Sequence, residues 1–193
     1  MLTMDDVIRE GNSVLREKAE EVALPPSDED KRQLEEMIEF LRNSQDPETA
    51  QEYQLRPGVG LAAPQINLKK RMIAMRTTDH NDELIELAMF NPKIISHSQQ
   101  SAYLEGGEGC LSVDRDVPGI VPRYARVKLE AYDLDGRRFT KRLRGFLAIV
   151  FQHELDHLNG IMFYDRIDEQ DPYKIELPPH ELVQRSEDEV PLA

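Results

Sequence analysis

GFLAIVFQHELDHLNG, residues 145–160, is the stretch on which the fold turns. From Phe146 to Phe151 every residue is apolar, so no face of this segment suits water. Its length allows about four helical turns, and Asn159-Gly160 ends it where helices commonly stop on a left-handed glycine. A helix that is apolar all round must be buried. The polar residues His153, Glu154 and His157 are therefore expected in or beside the core, where each needs a partner.

Outward from this helix the chain reads mainly as strands. Arg71 to Met75 and Leu84 to Phe90 are short, apolar-rich runs with polar breaks, and a third strand is expected over Lys93 to Ser96. In RVKLEAYDLDGRRFTKRL, Val127, Leu129 and Ala131 alternate with polar residues and Asp135-Gly136 supplies a tight turn, which together predict a hairpin. Before these, PPSDEDKRQLEEMIEFLRN predicts a surface helix: Ser27 can cap it, acids fill its first turn, and Leu34, Met37, Ile38 and Leu41 recur at helical spacing. Gln45 to Pro57 is polar and reads as a loop. The expectation is an α+β fold in one domain over residues 1–193, with antiparallel β-sheets packed around a buried central helix carrying the His-Glu-x-x-His motif and a short acidic tail from about 185.

Composition narrows the function. The net charge of −13 repels polyphosphate, and no basic stretch with interleaved aromatics is present, which argues against direct DNA or RNA binding. No apolar run approaches the ~20 residues needed to span a bilayer, so no membrane partner is expected. The N-terminal MLTMDDVIREGN has early acids and no apolar core, which does not read as a secretory signal or presequence. A cytoplasmic setting is expected. The single cysteine, Cys110, excludes an intramolecular disulfide and leaves a thiol to explain.

On a helix, residues four apart differ by about 40° around the axis, so His153 and His157 project from one face and can share an ion. Glu154 points about 100° away, able to flank the ion as a base beside a metal-activated water. A bare match to this spacing arises by chance about once in a hundred shuffled chains of this composition, so its place on a buried helix carries the weight. The third ligand must come from elsewhere. Glu169 or Glu176 downstream could serve, but Cys110, in the glycine-rich EGGEGCLS, is the better candidate. Taken alone it would read as a small buried hydrophobe. Three protein ligands leave a position open for water, as catalytic sites do. His80, His97 and His180 lie in polar, loop-like sequence and read as surface histidines.

Three stretches, GVGLAAPQ at 58–65, EGCLS at 108–112 and QHELDH at 152–157, resemble the signature motifs of the peptide deformylases, in their usual order. The longer segment before Gly58 resembles the Gram-positive branch called type 2. The resemblance implies a mononuclear centre on Cys110, His153 and His157, one Fe2+ per chain with Zn2+, Ni2+ or Co2+ as substitutes, and Glu154 as general base and acid. It implies removal of the formyl group from N-terminal formyl-methionine, with Gln65 and the backbone N–H of Leu111 stabilising the oxyanion. Backbone groups of Val59, Gly60 and Gly109 would hold the peptide, and Val59, Phe146, Ile149 and Val150 would form the methionine pocket. The partners implied are N-formyl-Met nascent peptides and, transiently, the ribosome, although the acidic tail does not match the basic extension some relatives use there; a monomer is expected. The basic run RRFTKRLR at 137–144 reads as a charged hairpin edge.

Overall fold

The computed structural model describes residues 1–175 and 180–183 of the chain; the acidic tail expected from about 185 and Glu176 lie outside the described residues. Its frame is a five-stranded sheet of β1 (Gly60–Ala62), β2 (Met72–Thr78), β3 (Leu84–His97), β6 (Arg126–Tyr132) and β7 (Arg138–Arg144), in that spatial order and antiparallel throughout. A smaller sheet holds β5 (Arg123–Tyr124), β4 (Ser101–Leu104) and β8 (His180–Val183). There the expectation of antiparallel pairing fails in one place, because β8 runs parallel to β4. Parallel pairing needs a long crossover, and the chain between Leu104 and His180 supplies it through β6, β7 and the central helix.

Two helices sandwich the large sheet. Helix α1 (Asp28–Gln45) begins where sequence places it, with Ser27 Oγ accepting from the Asp30 N–H and the Asp30 carboxylate accepting from the Ser27 N–H, a reciprocal cap. Helix α3 (Gly145–His157) packs against β1, β2, β6 and β7 of the large sheet and β4 and β5 of the small one, and is buried along almost its whole length. The period-2 alternation of β2 decides which residues meet which helix: Met72 and Ala74 join the cluster under α1, whereas Ile73 and Met75 join the cluster around α3. No helix among the described residues is long and apolar enough to cross a membrane.

Two stretches differ from expectation. Gln45 to Pro57 is not a continuous loop but holds a second helix, α2 (Pro47–Tyr53). Asp46 caps it by accepting from the Thr49 N–H at 2.9 Å, Pro47 occupies the first turn where no N–H is needed, and Gln54 stops it at φ 53°. The strand expected over Lys93 to Ser96 is not separate, since β3 runs on through Asn91-Pro92 with shifts of register on either side of Lys93 and Ile94. Asn91 tolerates φ 50°, and its side chain is clamped to the Val22 backbone through two bonds of 2.8 Å, so the break becomes a bulge rather than a turn.

The C-terminal end of α1 fixes the entry to β1. Gln45 Nε2 donates to the carbonyls of Gly58 and Arg76 at 2.7 and 2.8 Å, and Ser44 Oγ accepts from the Gly58 N–H at 3.3 Å. Beside it, Arg42 of α1 and Arg76 of β2 converge on Glu86 of β3 with contacts of 2.5 and 2.9 Å. The Arg42 bonds, opposed by partial burial and reinforced by Arg76, hold the Glu86 carboxyl at about 2, below its ordinary 4.5. A depressed carboxyl stabilises the fold above its unfolded value and loses that contribution as pH falls through its folded one. The stability advantage of the native chain over Glu86→Gln, about 1 kcal/mol for such a partly exposed network, should be complete above pH 4.5 and disappear toward about pH 2. Urea unfolding of both chains across that range tests this, and an advantage that stays constant with pH would refute it.

Candidate metal centre and active site

Burial of α3 brings its polar residues against the turn that carries Cys110. His153 and His157 stand one turn apart with ring centroids 5.1 Å from each other. Across from them a bridge between Cys110 and Val113 closes a tight turn, which lays Cys110 Sγ 3.3 Å from His157 Nε2. One ligand atom from each of Cys110, His153 and His157 lies within 4.8 Å of the other two. All three side chains are buried. Glu169, the other downstream candidate that can be placed, is exposed and outside this cluster.

The polar atoms here lack partners. His153 Nε2, His157 Nδ1 and both oxygens of Glu154 are buried without a hydrogen bond. Each such group costs ~1–3 kcal/mol if nothing satisfies it, and natural folds rarely tolerate several together. A metal held by Cys110 Sγ, His153 Nε2 and His157 Nε2, with water beside Glu154, would satisfy His153 Nε2 and the Glu154 oxygens, and the 3.3 Å between Cys110 Sγ and His157 Nε2 suits two atoms that share one ion. Burial, then the neighbouring His153, pushes His157 well below its ordinary range, which keeps it neutral as a ligand must be. Burial pushes the Cys110 thiol up to about 12, so the thiolate needs a cation beside it. The residues fit a single metal with an open position.

Glu154 completes the arrangement. Burial, with Glu108 adding repulsion, raises its carboxyl well above the ordinary range and so makes it a stronger base. Gly60 of β1 lies against it, and a Cβ at this position would fall 2.3 Å from Glu154 Oε1. That is the physical reason for a glycine in GVGLAAPQ. Gln65 sits at the end of the same motif on a 3-10 turn, Ala63–Ile66. Its Oε1 accepts from the Ala62 N–H at 2.9 Å, which aims its Nε2 at Cys110 Sγ and Ser112 Oγ, 3.5 and 3.3 Å away. Leu111, next to Cys110, is buried. The structure gathers Val59, Phe146, Ile149 and Val150 into one hydrophobic cluster, and Gly109 is half-buried beside Cys110. Of the remaining histidines, His97 ends β3 and stacks on Tyr124, His80 is exposed, and His180 opens β8 rather than lying in a loop.

Sequence reasoning missed the charged support behind His153. Glu108 Oε2 lies 2.8 Å from His153 Nδ1, which orients the ring so that Nε2 faces the cluster. Arg123 grips the same carboxylate through Nε and Nη2 at 2.8 and 2.7 Å and reaches Asp156 at 2.5 Å. Burial, the largest single influence, would raise the Glu108 carboxyl, but the charge and hydrogen bonds of Arg123 together with the His153 bond outweigh it and hold the group down at about 2. Arg56 also went unread: its guanidinium donates to the carbonyls of Cys110 and Leu111 at 3.3 and 3.4 Å and braces the turn. The legible signal was a lone arginine, Arg123, in the otherwise apolar GIVPRYA.

A family model described as Polypeptide deformylase matches residues 4–173. Peptide deformylase 2 of Bacillus subtilis (strain 168) is 59% identical over 174 residues, covering 90% of this chain and 95% of that protein. Peptide deformylase of Halalkalibacterium halodurans is 62% identical over 180 residues, covering 93% and 99%. Among solved structures, a class I type b peptide deformylase from Acinetobacter baumannii superposes with a TM-score of 0.69 at 32% identity, covering 86% of this chain and all of that one. The peptide deformylase from Thermotoga maritima gives 0.65 at 33%, covering 84% and 96%.

Removing one buried charge should expose the cost of the rest. Glu108→Gln leaves Arg123 short of a counter-ion and is expected to lower unfolding free energy by about 3 kcal/mol. Denaturant titration should show Glu108→Gln/Arg123→Met losing less than Glu108→Gln alone; a larger loss in the double variant would contradict the account.

Proposed function

The chain belongs to the polypeptide deformylase family, and we propose that it removes the N-formyl group of nascent chains with Cys110, His153 and His157 as metal ligands and Glu154 as general base and acid. The reaction is hydrolysis of a linear amide: formyl-methionine at the head of a new polypeptide becomes methionine and formate. The observation that carries the residue assignment is the buried Glu154 carboxylate, without a partner and with space kept beside it by Gly60, next to an open Cys-His-His cluster.

When bound, the metal supplies Lewis acidity, drawing electron density from water and from the formyl oxygen. Glu154 takes a proton from water as its oxygen bonds to the formyl carbon. It returns that proton to the amine nitrogen as the C–N bond breaks, which a neutral leaving amine requires. Gln65 Nε2 and the Leu111 N–H donate to the oxygen on which charge develops, each worth ~2.7–4 kcal/mol in comparable sites. The Ala62 bond to Gln65 Oε1 keeps the donating end of that amide toward the reaction.

Strand β1 lies at the edge of the large sheet, so an extended peptide can add beside it. We assign Val59, Gly60 and Gly109 to holding that backbone, and Val59, Phe146, Ile149 and Val150 to the methionine pocket. A thiolate with two imidazoles accepts Fe2+, Zn2+, Co2+ or Ni2+, and we infer one Fe2+ per chain as the resident ion, in a cytoplasmic monomer that meets its substrate transiently at the ribosome.

Formate release from a formyl-Met tripeptide, by protein loaded anaerobically with Fe2+, tests the reaction. Glu154→Ala should retain metal and lose about 10²- to 10⁴-fold in kcat; undiminished release would remove Glu154 from its role. Gly60→Ala should lose about 100-fold in kcat at unchanged metal content, since the new methyl displaces the base by more than the ~1 Å that such losses require. Full activity there would mean that the Glu154 position is not limiting.

A further inference from the structure

The charged support behind His153 does not end inside the protein. Asp156, 4% exposed, lies 2.5 Å from Arg123 and also receives both ends of the Arg166 guanidinium, Nε on Oδ2 at 2.5 Å and Nη2 on Oδ1 at 2.6 Å. Arg166 closes the 3-10 turn Phe163–Arg166 after α3, with a side chain 39% exposed. It lines a cavity of about 300 Å³ together with Tyr124, Gln152, Asp156 and Asn159. A continuous line of charge-assisted bonds thus runs from the surface to a metal ligand: Arg166, Asp156, Arg123, Glu108, His153.

The charges in that line balance only with its outer member. Glu108 and Asp156 are two carboxylates, Arg123 and Arg166 two guanidiniums. Without Arg166, two buried carboxylates compete for Arg123. Its Nη1, already 2.5 Å from Asp156, would then face that carboxylate's charge alone, its fork on Glu108 would loosen, and the bond that orients His153 would weaken with it.

We propose that Arg166, which touches neither ligands nor reacting atoms, is a positioning residue for the metal centre: by neutralising Asp156 it leaves Arg123 committed to Glu108, and so holds the His153 ring. This rests on His153 being a metal ligand. The site signature motifs do not include Arg166, and its partial exposure makes it read as a surface residue; only the spatial line gives it a role.

The test uses Co2+-loaded full-length protein, with two readouts that do not depend on turnover: the rate of Co2+ release to excess chelator, and the visible ligand-field and thiolate-to-cobalt bands. Arg166→Gln should release Co2+ up to about tenfold faster, the lower end of the effects seen for outer partners of metal ligands, and shift the ligand-field bands. Arg166→Lys, which keeps the charge, should recover most of the difference. Lys174→Gln, which breaks an exposed pair with Asp168 on the same stretch, should match the native chain. If Arg166→Gln folds poorly, Asp156→Asn/Arg166→Gln restores the balance by removing both charges, and should hold Co2+ more nearly as the native chain does. A native spectrum and release rate in folded Arg166→Gln would overturn the proposal, as would a Lys variant or a double variant no better than Arg166→Gln. A native chain that shows no thiolate-to-cobalt band would instead sink the ligand assignment, and the proposal with it.

Discussion

Two imidazoles and a thiol converge in the buried interior beside the Glu154 carboxyl, and the rest of the structure is arranged around that desolvation cost. Of the atoms left without hydrogen bonds there, His153 Nε2 faces the cluster with Cys110, while the opposite ring nitrogen of His153 is engaged by Glu108. A fold that merely tolerated buried polar groups would pair them with one another. Here the pairing stops where a metal and water would begin, which is the physical signature of a site kept open for chemistry.

Rigidity around the site comes from both faces of the sheet. The N-terminal part of α3 anchors in the cluster of Ile73, Met75, Met89 and Leu129, so the turn bearing His153 and His157 cannot shift without disturbing the core. On the far face, α1 packs on Met72, Ala74 and Phe90 and through Gln45 and Ser44 seizes the chain at Gly58. The two-residue step from Gly58 to Gly60 then carries that anchorage to the point where backbone passes Glu154. Glu154 and an edge strand are thereby set relative to one another by packing rather than by a loop.

The outer charges serve a different end from the inner ones. Arg42, Arg76 and Glu86 tie a helix to the sheet at the surface, where water screens them and each contributes little. Glu108 and Arg123 are buried against one another, so the loss of either leaves the other short of its partner. Such a network is weak evidence for stability, and the imidazole it orients, His153, is the one next to Glu154 in the chain.

Much of this was legible in the order of residues because the deciding properties are local. A helix without a polar face announces burial, a glycine-ended apolar run announces its stop, and two histidines four apart share a face by helical geometry alone; Ser27 and the Asp135-Gly136 turn are equally local. Helix α2 was legible too, from Asp46, Pro47 and Thr49, but polar composition hid it. What only tertiary structure decided depends on approach between distant segments. The continuity of β3 through Asn91 rests on Val22, almost seventy residues away, and the parallel β4–β8 pair rests on the path of everything between them. The reach of Cys110 to His157, and the alliance of Glu108, Arg123 and Asp156, likewise join residues 15 to 47 positions apart. Spacing along a chain encodes geometry only within one helix or hairpin; beyond that, which charges meet in the interior is settled by how the layers pack.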